Sequence, residues 1–129
     1  MPIVSPAELL SLPKENFILI DARSGPAAKE NYEKEHLAGA LWVDLETDLS
    51  EKTGDAAQGG RHPLPPVKKF AHLLGQLGIS PDRQVVVYDD KNGANAAARF
   101  WWMLHAVGHE KIHVLDGGYQ AAIAAGLPT

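Results

Sequence analysis

The part of the chain that most constrains its fold is the segment 85–104. It starts with the unbroken apolar run 85–88 (Val-Val-Val-Tyr), passes through a polar stretch that contains Gly93, and ends in an apolar pattern with helical spacing. A continuous apolar run is typical of a strand buried on both faces, and a period of about 3.6 residues is typical of a helix. The segment therefore predicts a buried strand, a loop that opens on Asp89 and a helix. In such a unit, chemistry is usually found in the loop at the carboxyl end of the strand.

Strands and helices alternate along the rest of the chain. Ser5, Pro6 and Glu8 carry the signals of a helix N-terminus. Further helices are predicted over 27–35, from Pro66 to Gly78, over 96–107 and over 119–125, and further strands over 17–20, 41–43 and 112–115. The polar stretch 44–61 is predicted to be a long loop. Strands separated by such helices favour a mainly parallel central sheet with helices on both faces, so the predicted fold class is α/β.

The helix 96–107 carries two adjacent tryptophans. Successive helical positions point about 100° apart, so one of Trp101 and Trp102 can be in the core while the other packs toward a partner surface. The spacing predicts the following inward residues: Ala97, Phe100, Trp101, Leu104 and Val107.

Length, charge and cysteine content narrow the possible functions. A chain of 129 residues is near the usual size of one domain. A net charge of −4 and the lack of a basic patch argue against a nucleic-acid partner. No stretch predicts a membrane span or a secretory leader, so a cytoplasmic location is the default expectation. The chain has no cysteine, which excludes disulfides and any thiol nucleophile of its own.

Four motifs in order give a resemblance to a known family. They are Ile20-Asp21-Ala22-Arg23, His36-Leu37-Ala38-Gly39-Ala40, the strand end at Tyr88-Asp89, and Val114-Leu115-Asp116-Gly117-Gly118-Tyr119. With them the chain resembles the rhodanese (sulfurtransferase) family from about residue 17 to residue 129, which implies a rhodanese-like α/β fold. Ala38 departs from the proline usual in the family. Asp89 stands where the family's catalytic domains have their cysteine.

The resemblance implies a role beside a catalytic partner. The chain is similar to the N-terminal, non-catalytic domain of a tandem thiosulfate or 3-mercaptopyruvate sulfurtransferase. On this view residues 1–129 are a single rhodanese-like domain, and a C-terminal catalytic rhodanese domain would follow residue 129. The partners implied are that domain and a small anionic sulfur donor, and no cofactor, metal or catalytic residue of this chain is implied. The equivalent of the active loop is Asp89, Asp90, Lys91, Asn92, Gly93, Ala94 and Asn95.

A segment upstream of the third predicted helix resembles another family feature. Arg61-His62-Pro63-Leu64-Pro65 is similar to a His-x-Leu-Pro segment of the tandem enzymes, whose histidine reaches the cleft between the domains. Arg61 and His62 would then orient an anionic donor, since guanidinium and imidazole N–H groups suit carboxylates and thiosulfonates. The alternative is that the prolines stiffen the start of a helix and His62 is merely exposed.

The chemistry of Asp89 predicts that this chain alone is inactive. Sulfur transfer of this type needs a thiolate that attacks sulfane sulfur and then holds it as a persulfide. A carboxylate cannot hold sulfur reversibly in this way. It would also repel an anionic donor about 4 Å away by roughly 4 kcal/mol at an effective dielectric constant near 20. We interpret Asp89 and Asp90 as acceptors of loop N–H bonds or as helix caps.

Other interpretations remain open. Asp21 and Asp89 could belong to a Mg²⁺ or phosphoacceptor site of the kind found in receiver-type domains, although Lys111 precedes its strand instead of ending it. The chain could also be a free-standing, inactive rhodanese-like module that binds a partner protein or a small anion. Arg23 and Arg99 are expected to pair internally with Asp21, Asp89 or Asp90.

Three histidines at a spacing of four raise the possibility of a zinc site, but the expected end of the helix argues against it. His105, His109 and His113 could share a helix face only if the helix continued past Gly108, which we expect to end it. We therefore favour a position at the solvent edge for all three.

Overall fold

The computed structural model describes residues 3–13, 17–23, 27–43, 67–80, 82–90 and 96–129, with the side chains of 67–69 outside this description. Strands and helices alternate through these residues. The strands are β1 (Ile3–Val4), β2 (Phe17–Asp21), β3 (Leu41–Trp42), β4 (Gln84–Tyr88) and β5 (Ile112–Leu115). The helices are α1 (Pro6–Ser11), α2 (Ala28–Lys34), α3 (Val67–Gln76), α4 (Ala96–Ala106) and α5 (Gly118–Ala124).

The described strands form one parallel sheet in the order β1-β5-β4-β2-β3. Strands β2 and β4 are paired over their whole length, from Phe17 opposite Gln84 to Asp21 opposite Tyr88. Because the strands are parallel, their carboxyl ends meet at one edge of the sheet. Asp21 and the residue after Tyr88 are therefore neighbours, although they are far apart in the sequence.

Helices cover both faces of the sheet, as the sequence predicts. The two faces are seen in two core clusters, to which alternate residues of β4 contribute: Val85 and Val87 to one, Val86 and Tyr88 to the other. The first cluster includes residues of α3 and α4, and the second includes residues of α1, α5 and the connection after α2. Val85, Val86 and Val87 are each at most 1% exposed. Burying one such side chain stabilises the fold by about 1.5–3 kcal/mol, so the apolar run fixes β4 at the centre.

Most local predictions agree with the structure. Ser5 and Glu8 form the expected reciprocal cap of α1, with N–H donor to side-chain acceptor distances of 3.1 and 3.3 Å. Trp101 is partly buried against the first core cluster and Trp102 is 52% exposed, which confirms that one of the two faces the core, whereas packing of Trp102 on a partner stays a prediction. The predicted loop 44–61 lies outside the described residues.

One local prediction is wrong, and one strand is not predicted at all. Val107 is 47% exposed instead of inward, because α4 ends at Ala106 and the chain turns away at Gly108. Strand β1 was not predicted. It has only two residues, and its pairing partner β5 lies at the far end of the sequence, so no local periodicity marks it.

Candidate functional site

The candidate site lies at the carboxyl ends of β2 and β4, where an ion pair is buried. The guanidinium of Arg23 approaches the carboxylate of Asp21 with Nη2 at 2.9 Å from Oδ2 and Nε at 3.0 Å from the same oxygen. The backbone N–H of Arg23 also donates to Asp21 Oδ1 at 3.0 Å. Asp21 is 0% and Arg23 5% exposed. The pairing expected for Arg23 is thus confirmed.

The electrostatics of this pair favour its charged form. Burial alone would lower the pKa of Arg23, but the hydrogen bond and the charge of Asp21 outweigh burial and raise that pKa above its usual value. A buried carboxylate also needs its remaining lone pairs satisfied. The hydroxyl of Tyr88 meets this need by donating to Asp21 Oδ2 at 2.7 Å.

Tyr88 ties the ion pair to the segment that follows α2. Its hydroxyl accepts the backbone N–H of Leu37 at 3.2 Å while it donates to Asp21. Burial first, and then the charge of Asp21, raise the pKa of Tyr88 far above the ordinary value. Tyr88 therefore stays protonated and acts as a neutral hydrogen-bond donor in this network.

Tyr119, at the start of α5, covers the other side of Arg23. The guanidinium carbon lies 4.1 Å from the centre of the Tyr119 ring, a cation–π distance. The Tyr119 hydroxyl donates to Glu35 Oε1 at 2.7 Å, and Arg23 Nη2 donates to the backbone carbonyl of Glu35, also at 2.7 Å. The ends of β2, α2 and α5 are thereby joined around one guanidinium.

The turn before α5 needs glycine. Gly117 has a φ of +76°, and a Cβ there would lie 2.4 Å from the Cβ of Ala121. An L side chain at this position would be strained and would also clash. The Asp-Gly-Gly turn therefore sets the place of Tyr119 through backbone geometry.

Asp89, directly after β4, is buried at 1% exposure and fixed at two points. Its Oδ2 accepts the backbone N–H of Ala97, in the first turn of α4, at 3.0 Å. Its backbone carbonyl accepts the backbone N–H of Tyr119 at 2.8 Å. The role of helix cap expected for Asp89 is confirmed, and the carboxylate is committed to the fold.

The neighbouring Asp90 is partly buried. Its backbone carbonyl accepts from Gln120 Nε2 at 3.3 Å, and its buried Oδ1 has no hydrogen-bond partner in the described part of the chain. The expected helix cap is thus seen at Asp89, and the expected bonds from loop N–H groups to Asp90 fall on residues 91–95, outside the described residues.

The remaining predicted site residues are not all placed by the structure. Lys91, Asn92, Gly93, Ala94 and Asn95 of the loop, and Arg61 and His62 of the cleft segment, lie outside the described residues and stay predictions. Arg99 is partly buried, which lowers its pKa. Its pairing with Asp89 or Asp90 also remains a prediction.

The acidic residues at the two strand ends, Asp21 and Asp89, both have protein partners. Asp21 binds Arg23 and Asp89 caps α4, whereas Lys111 lies at the opposite end of the sheet, where its Nζ donates to the backbone carbonyl of Asp82 at 3.3 Å. Across the residues with assigned positions, no group of three His, Asp or Glu side chains could hold a metal ion. The receiver-type interpretation therefore has no support in these residues.

The three histidines at a spacing of four lie in different surroundings. His105 is exposed and stacks on Trp101, with ring centres 4.8 Å apart. The solvent-edge prediction is wrong for His109, which is 5% exposed. Its Nε2 lies 2.9 Å from the carbonyl oxygen of Arg83, and since a carbonyl only accepts, Nε2 carries the hydrogen. His113 is half-buried on β5.

Sequence reasoning missed three members of the network. Tyr88 and Tyr119 appear in the sequence analysis only as members of predicted elements and of the family motifs, and Glu35 only as the end of a predicted helix. Their contacts span 67 and 84 residues, so no local spacing indicates them. Asp21 and Arg23 are two residues apart, and this short spacing at a strand end was the available signal.

Within the residues that the structure describes, none of the helices has the length and apolar character needed to cross a lipid bilayer.

Comparison with known proteins places this fold and its motifs in context. The profile of the rhodanese-like domain matches residues 5–125. The chain is 46% identical over 97 residues to a "Probable 3-mercaptopyruvate sulfurtransferase" of Pseudomonas aeruginosa, covering 74% of this chain and 34% of that protein. It is 37% identical over 102 residues to a thiosulfate sulfurtransferase of Cricetulus griseus, covering 78% of this chain and 33% of that protein.

A solved structure agrees with these matches. The 3-mercaptopyruvate sulfurtransferase from Leishmania major superposes with a TM-score of 0.88 at 33% identity, covering 98% of this chain and 35% of that one. The chain thus spans about a third of the length of each of these relatives.

Proposed function

Since the chain belongs to the rhodanese family, we propose that it acts as the non-catalytic N-terminal domain of a thiosulfate or 3-mercaptopyruvate sulfurtransferase. In this role it forms one wall of a substrate cleft, and a second rhodanese domain supplies the reactive cysteine. The relatives whose names carry these activities are about three times as long as the segment they share with this chain. That length leaves room for a second domain.

The proposal rests on the residue type at position 89 and on the buried, hydrogen-bonded position of its carboxylate. By the resemblance of its four motifs, Asp89 stands at the position of the family's cysteine, and the chain contains no cysteine. The Asp89 carboxylate is buried and accepts the N–H of Ala97. An oxygen nucleophile cannot carry sulfur as a persulfide, so no sulfur-transfer step can pass through this residue.

The charge of Asp89 also acts against binding of an anionic donor at this loop. A second anion about 4 Å from the carboxylate would be repelled by roughly 4 kcal/mol at an effective dielectric constant near 20. Arg23 does not compensate this repulsion, because it is already paired with Asp21. The donor is therefore expected to react on the partner domain.

In the proposed enzyme this domain helps to bind and orient the sulfur donor in the cleft. Arg61 and His62 would reach into the cleft and donate hydrogen bonds to the carboxylate or thiosulfonate of the donor. Neither residue would attack sulfur. The proposal involves no cofactor, nucleic acid or membrane, and it places the protein in the cytoplasm.

The decisive experiment begins with the reading frame beyond the codon for Thr129. We expect it to encode a second α/β repeat with cysteine in the loop after its central strand. The product of the whole frame should transfer sulfur from thiosulfate or 3-mercaptopyruvate, and residues 1–129 alone should not. In the whole product, His62→Ala should raise KM for the donor more than it lowers kcat.

Two results would contradict the proposal. One is enzymatic conversion of thiosulfate and cyanide to thiocyanate by residues 1–129 alone. The other is a reading frame without a cysteine-bearing rhodanese repeat. The second result would favour the alternative function, a free-standing inactive rhodanese-like module that binds a partner protein or a small anion.

A further inference from the structure

Strand β2 is covered unequally along its two sides. Strand β4 pairs with all five of its residues, whereas β3 pairs only with Ile20 and Asp21. In the part of the chain that the structure describes, Phe17, Ile18 and Leu19 therefore have a neighbouring strand on one side only.

The backbone groups on the uncovered side can be identified from two hydrogen bonds. The carbonyl of Asp21 accepts the N–H of Val43 at 2.9 Å, so Asp21 directs its backbone toward β3. The next residue, Ala22, donates its N–H to Tyr88 on the β4 side at 2.8 Å. Because backbone direction alternates along a strand, Leu19 and Phe17 point the same way as Asp21. An uncovered strand edge of this kind can pair with another extended chain.

A cavity of about 450 Å³ lies along this edge. Leu9, Leu19 and Leu37 line it from one face of the sheet, and Ile18 and Leu77 line it from the other. An extended chain beside β2 would place alternate side chains on these two faces, and both would meet aliphatic walls. A helix would present its apolar stripe to one face only.

The described residues that line the cavity carry no ionisable side chain. A charged group entering it would lose its hydration without gaining a partner among these residues, which is unfavourable. The uncovered stretch is three residues long, about 10 Å at 3.3 Å per residue. A stable dimer interface needs about 800 Å² on each partner, far more than such a strip provides, so a second copy of this chain does not suit it.

We propose that this edge and cavity form a docking site for a short, extended, uncharged aliphatic segment of a partner protein, which adds as a strand beside Phe17–Leu19. Backbone hydrogen bonds to β2 would provide affinity, and the aliphatic walls would select the side chains. The site lies at the end of β2 opposite Asp21. It is therefore separate from the candidate sulfurtransferase site and does not depend on that proposal.

The test is an NMR titration of the ¹⁵N-labelled chain with the capped peptide acetyl-Ser-Val-Leu-Val-Leu-Ser-amide. We expect saturable shifts of the amides of Phe17, Ile18, Leu19 and Leu41. Two control peptides carry N-methyl groups on alternate sets of the four aliphatic residues. In one control peptide the methyl groups replace the N–H hydrogens that face β2, and this peptide should bind about tenfold or more weakly. In the other control peptide they replace the N–H hydrogens that face away from β2, and its affinity should change by less than about threefold.

Matched variants locate the site. Leu41→Lys alters the rim, where Leu41 is 39% exposed, and should weaken peptide binding by about tenfold or more. Ile123→Lys alters a residue of α5 that is 40% exposed and does not line the cavity, so it should leave binding unchanged. Circular dichroism of both variants checks that they fold.

Four outcomes would overturn the proposal. They are the absence of shifts at β2, equal binding of the two N-methylated peptides, equal shifts with 1-decanol, and self-association through β2. Equal binding of the two peptides or of decanol would indicate an aliphatic pocket without strand addition. Self-association would indicate a second copy of the chain as occupant.

Discussion

The carboxylate of Asp89 accepts the backbone N–H of Ala97 at 3.0 Å, so the residue that follows the central strand caps the helix that follows the loop. Removing such a cap costs about 0.5–2 kcal/mol of stability. We expect Asp89→Ala to lower the free energy of unfolding by about 1 kcal/mol, and Asp89→Asn to lower it less because the amide oxygen can still accept. Urea unfolding measures both changes.

The control for this prediction is Asp116→Ala, which removes an exposed aspartate. It should change stability by less than about 0.5 kcal/mol. An Asp89→Ala variant as stable as the natural chain would show that the cap does not stabilise the fold in solution.

The buried ion pair gives a larger effect. Asp21→Asn leaves the charge of Arg23 buried beside a neutral partner, and breaking a pair in this way costs about 3–5 kcal/mol. We expect the double variant Asp21→Asn, Arg23→Met to recover part of this loss, since no charge is then left unpaired. A double-mutant cycle measured by urea unfolding tests the coupling. Additive losses would mean that the two residues act independently.

Alkaline pH should destabilise the fold through its tyrosines. Burial raises the pKa values of Tyr88, Tyr32 and Tyr119, so the unfolded chain releases these protons first as the pH rises above 10.0. Their contribution to stability is complete below that pH and is lost as the pH rises toward the folded pKa values. The direction of the effect is therefore a decrease in stability with increasing pH.

Tyr88→Phe isolates the contribution of Tyr88. At neutral pH the variant should be less stable by about 1–3 kcal/mol, because it removes the hydroxyl donor to Asp21. Above pH 10 the stability difference between the two chains should shrink by about 1.4 kcal/mol per pH unit. Absorbance at 295 nm should show one tyrosine that ionises only on unfolding. A difference that is constant with pH would contradict the shift.

Two glycines with similar backbone angles allow a clash to be separated from strain. Gly117 has φ +76° and Gly78 has φ +75°, but only at Gly117 would a Cβ meet another atom, at 2.4 Å. Gly78→Ala should cost about 1–2 kcal/mol from the left-handed backbone alone. Gly117→Ala should cost clearly more, as measured by thermal unfolding. Equal costs would mean that the turn before α5 can shift to relieve the contact.

The sequence was sufficient to predict the fold class, because the apolar run 85–88 and the helical pattern after it are both local. The edge strand β1 could not be predicted from the sequence. Ile3 and Val4 pair with Val114 and Leu115, and a strand of two residues has too little periodicity to be recognised without its partner.

The candidate site was predicted in part for the same physical reason. Asp21 and Arg23 are close in sequence, so their pairing could be expected, and Asp89 stood at a strand end before a helix. Tyr119 reaches Arg23 and Glu35 only after α5 has folded back onto the sheet. Contacts between residues that are far apart in the chain produce no recognisable local pattern in the sequence.

Asp21, Arg23 and Tyr88 form a buried network at the carboxyl end of the sheet, and the side chain of Asp89 accepts the backbone N–H of Ala97 in the next helix. After a gene duplication, one copy could therefore exchange the residue at position 89 at a cost of about 1 kcal/mol and still fold. Natural selection can in this way alter the reactivity of the loop almost independently of the architecture that supports it.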